Sequence, residues 1–247
     1  MARKVTKLSF VEAKAKSTSW AITFGDMVTL LLTFFILLLV IMNEAEKHID
    51  RIINLLLKET YQELHHELKF QSWVTVEHAT KGVKIKMASV GGELFRSGEE
   101  TLRPEFHNII KQVGYIIKMS PLVKVHDIPK YKPFLDAIRN GDKELNIEIR
   151  CEGHTDNVPL PDRLQGKYKD NWELSTARAL NVVKLLSEYA EIEQDKFSAM
   201  GYGEFRPEDS NDTPDGRSNN RRVEIYLDAF LTDINISNKK SLEPSIN

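Results

Sequence analysis

Two groups of residues carry side chains that could do chemistry. The first is Asp26, the single ionisable residue in the apolar run from Trp20 to Met42. An acid in such a segment costs on the order of 2.5–3.5 kcal/mol at mid-span and less near an end. A passive anchor gains nothing from that cost, whereas a group that takes up and releases a cation inside a membrane requires it. At helical spacing Thr29 and Thr33 fall on the same face as Asp26, which makes a polar stripe suited to a cation path.

The second group is spread over about 75 residues. It comprises Glu152-Gly153-His154-Thr155-Asp156-Asn157, Asn171-Trp172-Glu173-Leu174-Ser175-Thr176-Ala177-Arg178-Ala179, Gly201-Tyr202-Gly203-Glu204 and Asn219-Asn220-Arg221-Arg222-Val223-Glu224. The first piece reads as a strand end that turns at Gly153 and presents polar side chains. Ser175 either caps a helix or bonds a backbone group, and Arg178 lies on a helix beside the strand ends. Asp156 and Arg178 could clamp a zwitterion, the acid taking an ammonium and the guanidinium a carboxylate. A purely structural ion pair between them is the alternative. His154 beside Asp156 lacks a third ligand at metal-binding spacing, so no metal site is expected. No nucleophile turn of the G-x-S-x-G kind accompanies Ser175, so no catalytic residues are expected either.

These residues need elements to hold them. The 23 residues from Trp20 to Met42 are long enough to cross a hydrocarbon core as a helix. The sequence leaving the run has no small-x-small cleavage site, which predicts an uncleaved signal anchor. Arg3, Lys4, Lys7, Lys14 and Lys16 precede it, and Glu44 and Glu46 follow. Residues 1–19 therefore read as a basic cytoplasmic tail and residues 43–247 as lying outside the cytoplasm, the periplasm in a Gram-negative cell. A net charge of −2, with no basic block after the span, argues against nucleic acid as a partner. Cys151 is the only cysteine, which excludes an intrachain disulfide and suits a core position.

Beyond the span, Ile49, Ile52, Ile53, Leu56, Leu57, Tyr61, Leu64 and Leu68 recur at helical spacing. Residues 43–72 read as a helical connector whose apolar stripe pairs with a second copy or blocks a pore, rather than packing on its own domain. Residues 73–229 form the outer domain. Strands are expected over 73–90, at Ile147–Cys151, Lys196–Tyr202 and Arg222–Leu227, with helices over Pro104–Met119 and Trp172–Tyr189. Residues 120–145 form an insertion with one short helix near Phe134–Arg139. Residues 230–247 read as a disordered tail. Alternating helices and strands give an α/β (α+β) fold, a βαβ sandwich with helices over one sheet.

The four pieces G-H-T-D, N-x-x-L-S-x-x-R-A, G-Y-G-E and N-R-R-V-E-I together resemble the OmpA/MotB-type peptidoglycan-binding domain. The resemblance implies noncovalent binding of the diaminopimelate stem peptide, with Asp156 at its ammonium and Arg178 at its carboxylate. Asn171, Leu174 and Arg222 would line the site. The stretch from Trp20 to Phe35 resembles the transmembrane helix of MotB and PomB, the B subunits of ion-driven motors, with Gly25 at a position where alanine is commoner. That implies ion conduction through Asp26, Thr29 and Thr33, a homodimer, and a surrounding ring of MotA- or ZorA-like subunits in a bacterial inner membrane. The chain would then be no enzyme and hold no cofactor, only transported H⁺ or Na⁺. The connector lacks the long polar linker usual in flagellar B subunits. That places a B subunit of the Zorya anti-phage type (ZorB-like) first, a flagellar stator MotB as the alternative, and a passive OmpA- or Pal-like tether as a further one.

Overall fold

The computed structural model describes residues 10–79, 82–88, 94–96, 98–162 and 166–234. The basic residues at 3, 4 and 7, the turn at Lys81, Gly91-Gly92 and the tail beyond 234 lie outside them. The chain divides into two units, residues 1–51 and 52–247. Helix α1 (Phe10–Leu68) contributes to both, and it starts ten residues ahead of the apolar run.

In the first unit, Ile22, Phe24, Met27, Leu30, Leu31, Phe34, Phe35 and Leu39 are all more than half exposed. In water such a surface would cost about 25 cal/mol per Å² of apolar area. It is the only helix among the described residues long and apolar enough to cross a membrane.

In the second unit, Ile53, Leu56, Leu57, Leu64 and Leu68 are buried within a single chain. Five of the eight stripe residues are thus covered by their own domain, while Ile49, Ile52 and Tyr61 stay partly exposed. The physical reason is the segment after Met119. Thr60 Oγ1 accepts from the backbone N–H of Leu122 at 3.2 Å, and Glu59 takes a 2.8 Å bond from the Tyr131 hydroxyl. The expected insertion is therefore the surface on which the end of α1 lies. Short 3-10 turns lead there to α3 (Lys132–Asn140), whose Phe134 and Ile138 are buried.

The sheet contains β1 (Val74–His78), β2 (Val83–Met87), β3 (Lys143–Gly153), β4 (Phe197–Gly201) and β5 (Val223–Asp233), in the order β1-β2-β5-β3-β4. Only β3 and β4 run parallel, joined through α4 (Asn171–Ala190); the other neighbours are antiparallel. Period-2 alternation on β5 puts Val223, Ile225 and Leu227 on one face and Glu224, Tyr226 and Asp228 on the other. The apolar face of the sheet meets α4, and α2 (His107–Met119) packs against α4. Val113 and Ile117 from α2 and Val182 and Leu186 from α4 fill that layer, each 1% exposed or less. Cys151 is fully buried there.

β5 runs on to Asp233 opposite Lys143 of β3. The strand thus takes residues 230–233 from the expected tail. A seven-residue helix, α5 (Pro214–Asn220), was not expected from the sequence. It is too short for a periodic apolar pattern, and its signals are the Thr213 cap on Gly216 and Pro214 at the first position.

Candidate functional site

The site is built where β3 ends. Past Gly153 the chain is stitched on both sides. His154 N–H donates to the Arg222 carbonyl at 3.0 Å, Thr155 N–H to the Gly203 carbonyl at 2.9 Å, and Tyr202 N–H to the Gly153 carbonyl at 3.0 Å. G-H-T-D, G-Y-G-E and N-R-R-V-E, far apart in sequence, are thus one hydrogen-bonded unit. Helix α4 enters beside it. Asp170 caps that helix by accepting from the N–H groups of Trp172 and Glu173 at 2.9 and 3.0 Å. Ser175 is not the cap; its hydroxyl donates to the Trp172 carbonyl at 2.8 Å and accepts from Gly203 N–H at 2.9 Å. The helix is thereby tied to the Gly203 turn.

Asp156, Asn171, Leu174 and Arg178 line one cavity of about 210 Å³, together with Phe95, Thr155, Arg217 and Arg221 among others. Asp156 is nearly buried, and its Oδ1 accepts from Val158 N–H at 3.3 Å. Asn171 spans the rim, donating to the Val158 carbonyl at 3.0 Å and to Glu204 Oε2 at 3.1 Å. Arg178 is only 3% exposed. Its Nε donates to the Glu99 carbonyl at 3.0 Å, and its guanidinium lies 4.9 Å from the centre of the Phe95 ring. A guanidinium so fixed gives up little side-chain entropy on meeting an anion.

Arg222 departs from its expected place. Its Nε is bonded to Glu224 Oε1 at 2.6 Å and lies 3.2 Å from Glu208, on the polar face of the sheet. The residue in the cavity is Arg221, whose Nη1 meets Asp156 Oδ2 at 2.7 Å. Adjacent residues leaving α5 into a strand point to opposite sides, so the two arginines of the motif divide between site and scaffold. In the sequence they are indistinguishable, because the register of β5 alone decides between them.

His154 has company that the linear spacing concealed. The pairing of Glu152 with Glu224 across β3 and β5 brings both carboxylates and the imidazole within 4.8 Å of one another. The carboxylates are already engaged, Glu152 by Arg150 at 2.8 Å and Glu224 by Arg222 and Tyr226. Burial, then the nearby Arg222 charge, lowers the His154 pKa to about 4, so the ring is neutral and stacks on Tyr202.

In α1, Asp26 is exposed, like its neighbours in the apolar run. Thr29 Oγ1 donates to the Asp26 carbonyl at 2.8 Å and Thr33 Oγ1 to the Leu30 carbonyl at 2.9 Å. Their protons are spent on their own helix, so these hydroxyls offer a cation only oxygen lone pairs.

Residues 94–221 match the OmpA family. Residues 5–58 match the family described as membrane MotB of the proton-channel complex MotA/MotB. Motility protein B of Bacillus subtilis is 30% identical over 92% of this chain and 96% of its own length. The chain belongs to the MotB family. Motility protein B of Helicobacter pylori strain J99 is 26% identical, covering 87% of this chain and 86% of its own. A MotB-like protein from Desulfovibrio vulgaris shares the fold, with a TM-score of 0.54 at 22% identity over 73% of this chain and 94% of that one. MotB proteins are motor stator subunits, not enzymes, and α1 carries the family's single N-terminal membrane helix. Two of these relatives are motility proteins and none is a defence protein, so the anti-phage expectation gains no support from them.

Proposed function

We propose that this chain is the ion-conducting, wall-anchored B subunit of a flagellar-type rotary motor. One observation carries the reading: a lone acid in the membrane helix and an Asp156–Arg178 cavity in the outer domain occur in the same chain. A motor needs both an ion-binding carboxylate in the membrane and a fixed point outside it. Asp26 takes the proton that drives a surrounding ring of A subunits, and a pair of copies passes through that ring. Lone pairs of Thr29 and Thr33 line the path. The outer domain lies beyond the inner membrane, where Asp156 receives the ammonium and Arg178 the carboxylate of a peptidoglycan stem peptide. Asn171 and Leu174 shape the rim.

The test uses a host lacking its own B subunit, supplied with this chain and its cognate A subunit. Asp26→Asn should abolish swimming while the chain still inserts and sediments with peptidoglycan. Swimming at the wild-type rate in that variant would overturn the reading. The absence of a long polar linker between residues 43 and 73 favours an anti-phage motor as the second reading. Phage protection without swimming in the same host would replace the first by the second.

A further inference from the structure

We propose that Glu152, His154 and Glu224 form a site for one divalent transition-metal ion of the zinc type, which ties the end of β3 to the start of β5. The inference goes beyond the motor reading and does not depend on it.

Its first support is a histidine with nothing to bond. His154 is 2% exposed, and among the described residues neither ring nitrogen has a hydrogen-bond partner. Buried polar groups are nearly always paired, so an orphaned imidazole calls for an explanation. Burial and the nearby Arg222 charge keep the ring neutral, the form in which a ring nitrogen offers its lone pair to a metal. Two carboxylates stand beside it. One ligand atom each from Glu152, His154 and Glu224 lies within 4.8 Å of the others. Tetrahedral zinc bonds of about 2.1 Å put ligand atoms roughly 3.4 Å apart. A contraction of at most about 1.4 Å, within reach of side-chain rotation, closes the site.

The backbone sets the three on one face. Glu152 and Glu224 are register partners across β3 and β5. His154 follows two residues after Glu152 on the same side, and its N–H is bonded to the Arg222 carbonyl at 3.0 Å. Stacking on Tyr202, with ring centres 5.4 Å apart, holds the imidazole further.

The neighbouring donors orient the carboxylates without exhausting them. Arg150 Nε donates to Glu152 Oε1 at 2.8 Å. Glu224 accepts from Arg222 Nε at 2.6 Å and from the Tyr226 hydroxyl at 2.7 Å. A carboxylate has about four lone-pair sites, so each keeps room for a metal. Such bonds to ligating carboxylates are the usual outer shell of a metal centre. Neither arginine turns its whole charge on the pair. Arg150 also meets Asp228 at 3.1 Å, and Arg222 lies 3.2 Å from Glu208. One imidazole nitrogen with two carboxylates favours zinc over magnesium and calcium, which take oxygen ligands.

The experiment uses the full-length chain in nanodiscs, stripped with chelator and dialysed. Zinc chloride is titrated at neutral pH by calorimetry, alone and against an equal concentration of magnesium chloride. The wild-type chain should bind one zinc that magnesium does not displace. His154→Gln and Glu152→Gln should each weaken that binding at least about tenfold. Zinc should raise the urea midpoint of the wild-type chain and leave those of the variants alone. Exposed histidines such as His65 and His66 can also hold zinc, so amide exchange locates the ion in the unsubstituted chain. Zinc should slow exchange at His154, Thr155 and residues 223–225, a measurement that stands even where a variant fails to fold. Equal zinc affinity in wild type and both variants, or slowing confined to residues 61–78, would overturn the inference. Peptidoglycan enters no arm of the test, so that failure would leave the wall-binding reading untouched.

Discussion

The Tyr131 hydroxyl donates to Glu59 Oε2 at 2.8 Å and so joins the last third of α1 to the segment leading into α3. Lys130 approaches the other Glu59 oxygen at 3.0 Å. Burial acts against the Glu59 carboxylate, but the bonds from Tyr131 and Lys130 outweigh it and hold its pKa below the ordinary value. Tyr131 itself is 3% exposed.

Removing that hydroxyl with Tyr131→Phe should cost about 1 kcal/mol, the net worth of one hydrogen bond. It should also speed amide exchange in residues 52–68 relative to α4. Because the carboxylate pKa is lowered on folding, its contribution is full above the ordinary value near 4.5 and is lost as pH falls through the lowered one. Exchange rates in residues 52–68 that match wild type would show that the apolar contacts alone hold this part of α1.

A second pH dependence has a different window. His154 is buried and neutral, with a pKa near 4 against an ordinary 6.5. The unfolded chain therefore takes up a proton that the folded one refuses as pH drops from about 6.5 to about 4. Stability should decline across that interval, by at most about 1.4 kcal/mol per pH unit. Glu100, held near 2 chiefly by its bond from Lys167, adds its own loss only below about 4.5. Urea midpoints at pH 7, 6 and 5 should fall for the wild-type chain and stay nearly flat for His154→Gln. Parallel slopes for the two would assign the decline to other groups.

How much of this was legible in the sequence depends on which distances decided it. Most strands and helices followed from period-2 and period-3.6 patterns: α4 lies within a residue of expectation, and α2 ends at the expected Met119 but begins at His107, after a 3-10 turn over Pro104–Phe106. Asn171, Leu174 and Arg178 share a cavity with Asp156 because all three ride on α4, while the backbone bonds of His154 and Thr155 hold the loop that carries Asp156. Three points were hidden. Arg221 and Arg222 exchange roles through a one-residue register that only the β3–β5 pairing sets. The Glu152–His154–Glu224 cluster forms across strands about 70 residues apart. The stripe on α1 has the same spacing whatever covers it, and the bond from Leu122 N–H to Thr60 Oγ1, 62 residues apart in sequence, holds its buried part against the chain's own domain.

The divided roles of the arginine pair can be separated experimentally. Arg222→Ala strips the counter-charge from Glu224, which is 5% exposed. Breaking a buried pair in this way should cost roughly 3–5 kcal/mol. Arg221→Ala should change the unfolding midpoint little, because water reaches its half-buried side chain, and should show its effect in peptidoglycan sedimentation. The reverse outcome, an unstable Arg221→Ala and a stable Arg222→Ala that no longer sediments, would restore Arg222 to the site.

The close approach of α4 to the sheet makes the sharpest prediction about geometry. Gly153 of β3 and Gly201 of β4 are register partners at the parallel ends of their strands. The first turns of α4 press on both. A Cβ at Gly153 would overlap the Ser175 carbonyl, and one at Gly201 would overlap Thr176 Oγ1. The colliding atom at Gly153 is backbone, so no rotamer change relieves it and the helix must move. Gly153→Ala should therefore cost about 1–3 kcal/mol. Because Arg178 and Asn171 ride on α4 while Asp156 sits on the loop three residues past β3, the shift should also weaken binding to peptidoglycan beyond what lost stability explains. Gly166, where a Cβ meets nothing within 4 Å, supplies the control. Gly166→Ala should match wild type in urea midpoint and in sedimentation. If Gly153→Ala unfolds and binds like that control, the spacing of α4 on the two glycines does not set the Asp156–Arg178 geometry.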